Sequence, residues 1–336
     1  MSISVIEPPT PAAVKPVTVL NRQPAHSAHP ARRLAGRLLL LSPLALLWLG
    51  LEVALRVWPG DFARKHQQFA AGQARWQTLI LGSSHTYCGL NPRFLGPDAY
   101  NLAYSSQPLY YDYELLRHYL PTLPRLRRVI LPLSYPSLAG NPAELEYWQK
   151  TTYLYQRYAQ VDYPTLRSPF SVYNYSLVAF YTPTGSLDRL REQWAADGSQ
   201  GVRQASTGWM RQAPLPYPLA NADLALTRHH AIMRTTTIDP TEAKLDSMAT
   251  LLRARGIDLV LLTTPVMPAY AAGARPAYLA RNQAAAQRLV RRYGARYYDF
   301  WRDPRFQPGD FYDADHLNAR GAARLSRLLA DTLAQR

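Results

Sequence analysis

Leu79-Ile80-Leu81-Gly82-Ser83-Ser84-His85-Thr86 decides the reading of this 336-residue chain. With Thr78 ahead of it, the apolar run is short and uninterrupted, the pattern of a strand buried on both faces in a parallel sheet. It stops at a glycine, followed at once by two serines and a histidine. About 230 residues later, Asp313-Ala314-Asp315-His316-Leu317-Asn318 places an aspartate three positions before a histidine, just ahead of the last helix. A serine hydroxyl is a weak nucleophile at neutral pH, so acyl transfer needs a histidine within hydrogen-bond reach and a carboxylate that fixes its tautomer. Together the two stretches supply a nucleophile, a base and an orienting acid.

The pattern extends outward from that strand. A second short strand is expected at Ala99-Tyr100-Asn101-Leu102, a helix from about Leu109 to Leu120, and a third strand at Arg128-Val129-Ile130-Leu131-Pro132-Leu133. Strand, helix and strand at this spacing predict an α/β domain with right-handed crossovers. Alternation resumes with a helix from Thr241 to Arg255 closed by Gly256, a strand from Ile257 to Thr263, and a helix from Pro276 to Tyr293 closed by Gly294. A strand from Ala295 to Phe300 and a final helix from Ala319 to Ala334 complete it. Between the halves, from about Ala139 to Met233, the alternation fades into a segment rich in aromatic residues, including Tyr147, Trp148, Tyr153, Tyr155 and Trp209. Its place between core strands makes it a candidate cap, with its aromatics read mainly as packing. Residues 59–74 read as a linker.

The N-terminal region has a different character. Residues 1–30 are rich in Pro, Ala, Val and Ser without periodicity and read as a disordered cytoplasmic tail. Leu38 to Val57 is nearly continuous in Leu, Ala, Val and Trp, about the length of helix that spans a bilayer's hydrocarbon core. Glu52 and Arg56, four apart, are placed to pair on one helix face. The segment from residue 31 to 58 is therefore read as an uncleaved transmembrane anchor. Lys15, Arg22, Arg32, Arg33 and Arg37 precede it, so the positive-inside rule puts the tail in the cytoplasm and residues 75–336 outside.

Composition limits the remaining classes. Cys88 is the single cysteine, which excludes an internal disulfide even in an oxidising compartment. The formal charge of +15, from 38 basic and 23 acidic residues, is spread as scattered arginines without a nucleic-acid module. A basic surface facing anionic lipid or polymer fits better than nucleic acid. His229-His230 beside Arg228 lacks the further ligands at metal-site spacing, so no metal is assigned, and no cofactor.

The paired stretches resemble the SGNH (GDSL-like) hydrolase superfamily. Its first block has the form Gly-Asp-Ser, met here by Gly82-Ser83-Ser84 with serine in place of aspartate, and its last block the form Asp-x-x-His, met by Asp313 to His316. The resemblance implies a three-layer, flavodoxin-like parallel-sheet domain. It assigns Ser84 as nucleophile, His316 as base and Asp313 as the base's orienter, with Ser83 as an alternative nucleophile and Asp315 exposed. In the family the oxyanion is held by the nucleophile's N–H, a second-block glycine and a third-block asparagine. Here Asn101 to Gln107 resembles the second block, with Ser106 where glycine is usual, while the third block's Gly-x-Asn-Asp is absent and the strand ends Leu133-Ser134-Tyr135-Pro136. Ser106, Gln107, Ser134, Asn101 and His85 are the candidate oxyanion and substrate contacts.

The divergent pattern looks most like the envelope branch of the superfamily, which includes DltD-like proteins and alginate O-acetylation proteins of the AlgJ/AlgX type. That resemblance implies a bacterial, membrane-anchored acyltransferase or esterase with its catalytic domain in the periplasm or outside the cell. Its substrate would be an envelope glycan, and its partner a membrane-bound O-acyltransferase. The absent asparagine keeps open a catalytically weak glycan-binding or scaffold protein, and a simple esterase or lipase is a further alternative.

Overall fold

The computed structural model describes residues 30–140, 146–163, 168–198, 206–213 and 221–335. The chain divides into two compact units, residues 1–49 and 50–336. The disordered tail expected over residues 1–30 lies, up to residue 29, outside the described residues, and with it His26 and His29.

Helix α1 runs over Pro30–Val57. Its stretch Leu39–Val57 has a mean hydropathy of 1.7 and is long and apolar enough to cross a membrane. Pro43 lies inside it and has no N–H for the carbonyl of Leu39; Ser42 Oγ donates to that oxygen instead, at 2.7 Å. Glu52 and Arg56 pair at 2.8 Å.

Where a linker was expected, the chain forms helix α2, Asp61–Ala71, whose Phe62 and Phe69 are buried in the main core. Strands β1 (Thr78–Ile80), β2 (Ala99–Asn101), β3 (Arg128–Pro132), β4 (Asp258–Thr263) and β5 (Arg296–Asp299) form one parallel sheet in the order β2-β1-β3-β4-β5. Each strand carries alternate residues to opposite faces. Leu79, Val129, Leu131, Leu259 and Leu261 join the core beneath α4 (Leu109–Tyr119), α9 (Ile238–Arg253) and α11 (Pro276–Tyr293). Ile80, Ile130, Val260 and Leu262 pack on the other side with Leu325, Leu329 and Leu333 of α12 (Ala319–Ala334). Burial on both faces explains why β1, β3 and β4 read as continuous apolar runs.

Helix α3 (Ser84–Gly89) follows β1 directly. The inserted segment is helical: α5 (Glu146–Ala159), α6 (Leu177–Tyr181), α7 (Pro183–Gly198) and α8 (Ala222–Ile232), with short α10 (Pro268–Gly273) after β4. Two helix ends were expected at glycines. Gly294 closes α11 in the left-handed conformation, φ 72°. Helix α9 instead ends at Arg253, and Gly256, φ 65°, forms the turn into β4.

The chain leaves β1 for β2 on one side and returns to β3 on the other. In doubly wound sheets this reversal opens a crevice at the carboxyl ends of the two diverging strands. Gly82-Ser83-Ser84 stands at that end of β1.

Candidate active site

Gly82 has φ 111°, and a Cβ there would lie 2.2 Å from Pro132 Cγ, so only glycine fits between β1 and β3. Its N–H donates to Asp112 Oδ1 of α4 at 2.7 Å. The turn delivers Ser84 as the first residue of α3, where an N–H has no acceptor within the helix.

The second stretch folds into a tight loop. Phe311 and Leu317 pair as an antiparallel bridge and the Tyr312 N–H donates to the His316 carbonyl, so residues 312–316 form the bend between them. Asp313 Oδ1 accepts the backbone N–H groups of Asp315 and His316, an Asx-type turn, and so fixes the ring of the residue three positions on. Asn318 caps α12 through the N–H groups of Arg320 and Gly321 while its Nδ2 donates to the carbonyls of Gly309 and Phe311. The residues after the histidine thus tie the loop to the helix.

Ser84, His316 and Asp313 come together. Ser84 Oγ lies 2.8 Å from His316 Nε2, and His316 Nδ1 lies 2.9 Å from both carboxylate oxygens of Asp313. With Nδ1–H donated to Asp313, Nε2 is left as the acceptor for the serine proton.

Asp315 corrects an expectation: it is buried, not exposed, because imidazole and guanidinium groups surround it. Its Oδ2 lies 3.2 Å from His85 Nε2 and 3.7 Å from His229 Nε2. Its Oδ1 has no hydrogen bond among the described residues, with His316 Nδ1 at 3.5 Å and Arg228 at 3.9 Å. His85 also meets Ser83 Oγ through Nδ1 at 3.2 Å and stacks on the His316 ring, centroids 5.2 Å apart. Tyr270 OH holds His229 Nδ1.

These neighbours set the protonation of the base. Burial alone disfavours the His316 imidazolium, but the Asp315 charge and the Asp313 hydrogen bond and charge outweigh it, so the ring is raised to about 9. Burial likewise works against an ionised Asp315, yet His316 and His85 hold its carboxyl well below the usual range. Burial keeps His229 neutral, at about 3. It pushes Asp112 up to about 7, against the hydrogen bonds from Gln107 and Gly82. One ligand atom each from His85, Asp315 and His316 lies within 4.8 Å of the others, so a metal ion has donors there, though it would compete with Asp313 for His316 Nδ1.

Ser84 faces a cavity of about 90 Å³ lined also by His85, Ser106, Asp112, Trp148, Arg228, His229 and Ile232, among others. Trp148, Arg228, His229 and Ile232 come from the inserted segment, which therefore walls the pocket. Ser106 adopts φ 55°, the left-handed conformation natural to a glycine, and its N–H has no protein acceptor among the described residues. Gln107 lines the pocket with its amide engaged, donating to Asp112 and accepting from Tyr155 OH.

Two other candidates fall away. Asn101 is fully buried, its Nδ2 spent on the carbonyls of Thr86 and Leu90 and its Oδ1 on Ala103 N–H, so it holds the second-block loop instead of a ligand. Ser134 is buried outside the pocket, and its Oγ has no hydrogen bond among the described residues. The sequence reading missed Asp112, Arg228 and His229 as pocket residues. Only the His229-His230 pair gave a signal, and it carried no spacing that tied it to Ser84.

No protein-family model matches the chain, and no curated protein matches it.

Proposed function

We propose that this protein is a membrane-anchored serine acyl-transfer enzyme of the SGNH type, moving a small acyl group to or from an envelope polysaccharide. The observation that carries the reading is the continuous chain of contacts from Ser84 Oγ through His316 to Asp313 at the carboxyl end of β1. In the reaction, Ser84 Oγ bonds to the acyl carbon while His316 Nε2 takes the hydroxyl proton. The tetrahedral intermediate then collapses, breaking the bond to the leaving alcohol, which receives that proton. An acceptor hydroxyl or water reverses the sequence on the acyl-enzyme.

The N–H groups of Ser84 and Ser106 are the available donors for the oxyanion, each worth about 3 kcal/mol in a preorganised site. The cavity of about 90 Å³ suits a short acyl group; drug-sized ligands occupy roughly 300–1,000 Å³. Walls from the inserted segment limit access by water, which favours transfer over hydrolysis. The apolar helix α1 supports a membrane location, and the reading puts residues 75–336 on the periplasmic or outer face. A membrane-bound O-acyltransferase is the partner proposed to supply the acyl group.

A second reading, a weakly catalytic glycan-binding or scaffold protein, is favoured by one observation: Asn101 and Ser134 do not line the pocket, and Gln107 directs its amide to Asp112 and Tyr155. Polymer acylation in cells carrying Ser84→Ala separates the two. The enzyme reading expects acylation to fall to the level of the gene deletion with protein abundance unchanged; acylation at wild-type level would favour the scaffold.

A further inference from the structure

The last two turns of α1 belong to the same compact unit as the sheet, and they do not lead into a free linker. Leu51 and Leu55 are buried against Leu177 and Val178 of α6. Between them Glu52, in an otherwise apolar helix, is itself buried. Its carboxylate accepts the N–H groups of Leu177 and Val178 and the hydroxyl of Ser176, the residue that caps α6. Four residues on, Arg56 pairs with Glu52 and donates to the Tyr175 carbonyl. A carboxylate at the end of a membrane span is costly unless it is fully bonded. Here the bonding fastens residues 175–178 to the point where the chain leaves the apolar helix, and Asn174 Nδ2 ties on the stretch before them by donating to the carbonyls of Ser168, Pro169 and Ser171.

That fastened segment presents apolar side chains to its surroundings. Phe170 is 94% exposed and Tyr175 70%, with Val172 beside them and Val57 and Trp58 exposed at the end of α1. Cationic side chains stand among the rings: Arg157 donates to the carbonyls of Tyr173 and Asn174, Lys150 lies over the Tyr173 ring, and Arg189 over Tyr181. Exposed aromatics interleaved with Lys and Arg at the end of a span match a membrane–water interface, where rings sit at headgroup depth and cations meet anionic lipid.

We propose that residues 168–181 are a lipid-contacting belt that enters the bilayer interface beside residues 50–57 of α1 and fixes the catalytic domain's orientation on the membrane. The occupant is the lipid headgroup region itself, because the belt is bonded to the residues by which α1 leaves its apolar run. This rests on reading α1 as a span but not on the acyl-transfer reading.

Site-directed spin labelling of the full chain in lipid nanodiscs containing anionic phospholipid tests it. Cys88 is buried and its thiol pushed up by that burial to about 12, so labels go selectively to new cysteines. Nitroxides at Phe170→Cys and Val172→Cys are expected to collide several-fold more with oxygen, relative to a water-soluble nickel chelate, than one at exposed Leu224→Cys. They are expected to fall between Leu224 and a Leu47→Cys label within the span. Labels at 170 and 172 that match Leu224 while Leu47 is in lipid would overturn the belt alone. A Leu47 label in water would overturn the span and the belt together. Shielding of 170 and 172 from both reagents would also overturn the belt, pointing to a protein contact.

Discussion

Two serine–histidine–aspartate arrays lie side by side at the edge of the pocket, each with its serine on the lining. In one, Ser84 Oγ lies 2.8 Å from Nε2 of His316, whose Nδ1 meets Asp313 at 2.9 Å. In the other, Ser83 Oγ lies 3.2 Å from Nδ1 of His85, whose Nε2 meets Asp315 at 3.2 Å. The residue types are the same, but the first array is tighter and its aspartate is held by two backbone N–H groups that aim the ring. In the second, the aspartate is shared among His85, His229 and His316. Matching residue types do not by themselves make a triad. A carboxylate dedicated to one ring orients it, whereas a shared carboxylate acts chiefly as a buried counter-charge.

The largest test of that contrast is removal of the first array's members. Ser84→Ala and His316→Ala are each expected to lower ester turnover by the full-length protein on the order of 10³-fold or more, and the double variant little further, because the two act as one unit. Steady-state kinetics of the singles and the double reads this; additive losses would break the claim. Next, Asp313→Asn should cost about 10²–10⁴-fold in kcat by misorienting the ring. Asp315→Asn should cost less than Asp313→Asn.

The base must be neutral, and His316 is raised to about 9, so kcat/KM is expected to rise with pH and level off near that value. Asp315 contributes to that rise, so Asp315→Asn should move the limb toward lower pH and lose more activity, relative to wild type, at pH 9 than at pH 7. An unmoved limb would deny Asp315 its electrostatic role. The smallest effect is expected from Ser83→Ala, which should leave kcat/KM within about threefold, since the Ser83 hydroxyl is not in the proton path. A loss comparable to that of Ser84→Ala would reverse the assignment of the two arrays.

The same contrast explains what the sequence disclosed. Strands β1, β3 and β4 were legible because burial on both faces demands unbroken apolar runs, and α11 and α12 because their periodicity ends at a glycine and starts at an asparagine. Helix α2 was not, because its buried face carries Lys65. That side chain is fully buried, its Nζ donating to the carbonyls of Asn101, Ala103 and Gly208, and a charge at a core position breaks the apolar period. Asp313 and His316 were legible because their bond is local. Asp315 was misread because what makes its burial tolerable, His85 and His229, lies far away in the chain. Asn101 and Ser134 were named by block position alone, and their side chains are turned to structural neighbours or to no partner.

The most direct measurement is intact-protein and peptide mass after treating the full-length protein with a fluorophosphonate serine probe, alongside Ser84→Ala, Ser83→Ala and His316→Ala. One adduct on Ser84, kept in Ser83→Ala and lost in the other two variants, is the predicted result. An adduct on Ser83, labelling indifferent to His316, or no adduct on folded wild-type protein would contradict an activated Ser84.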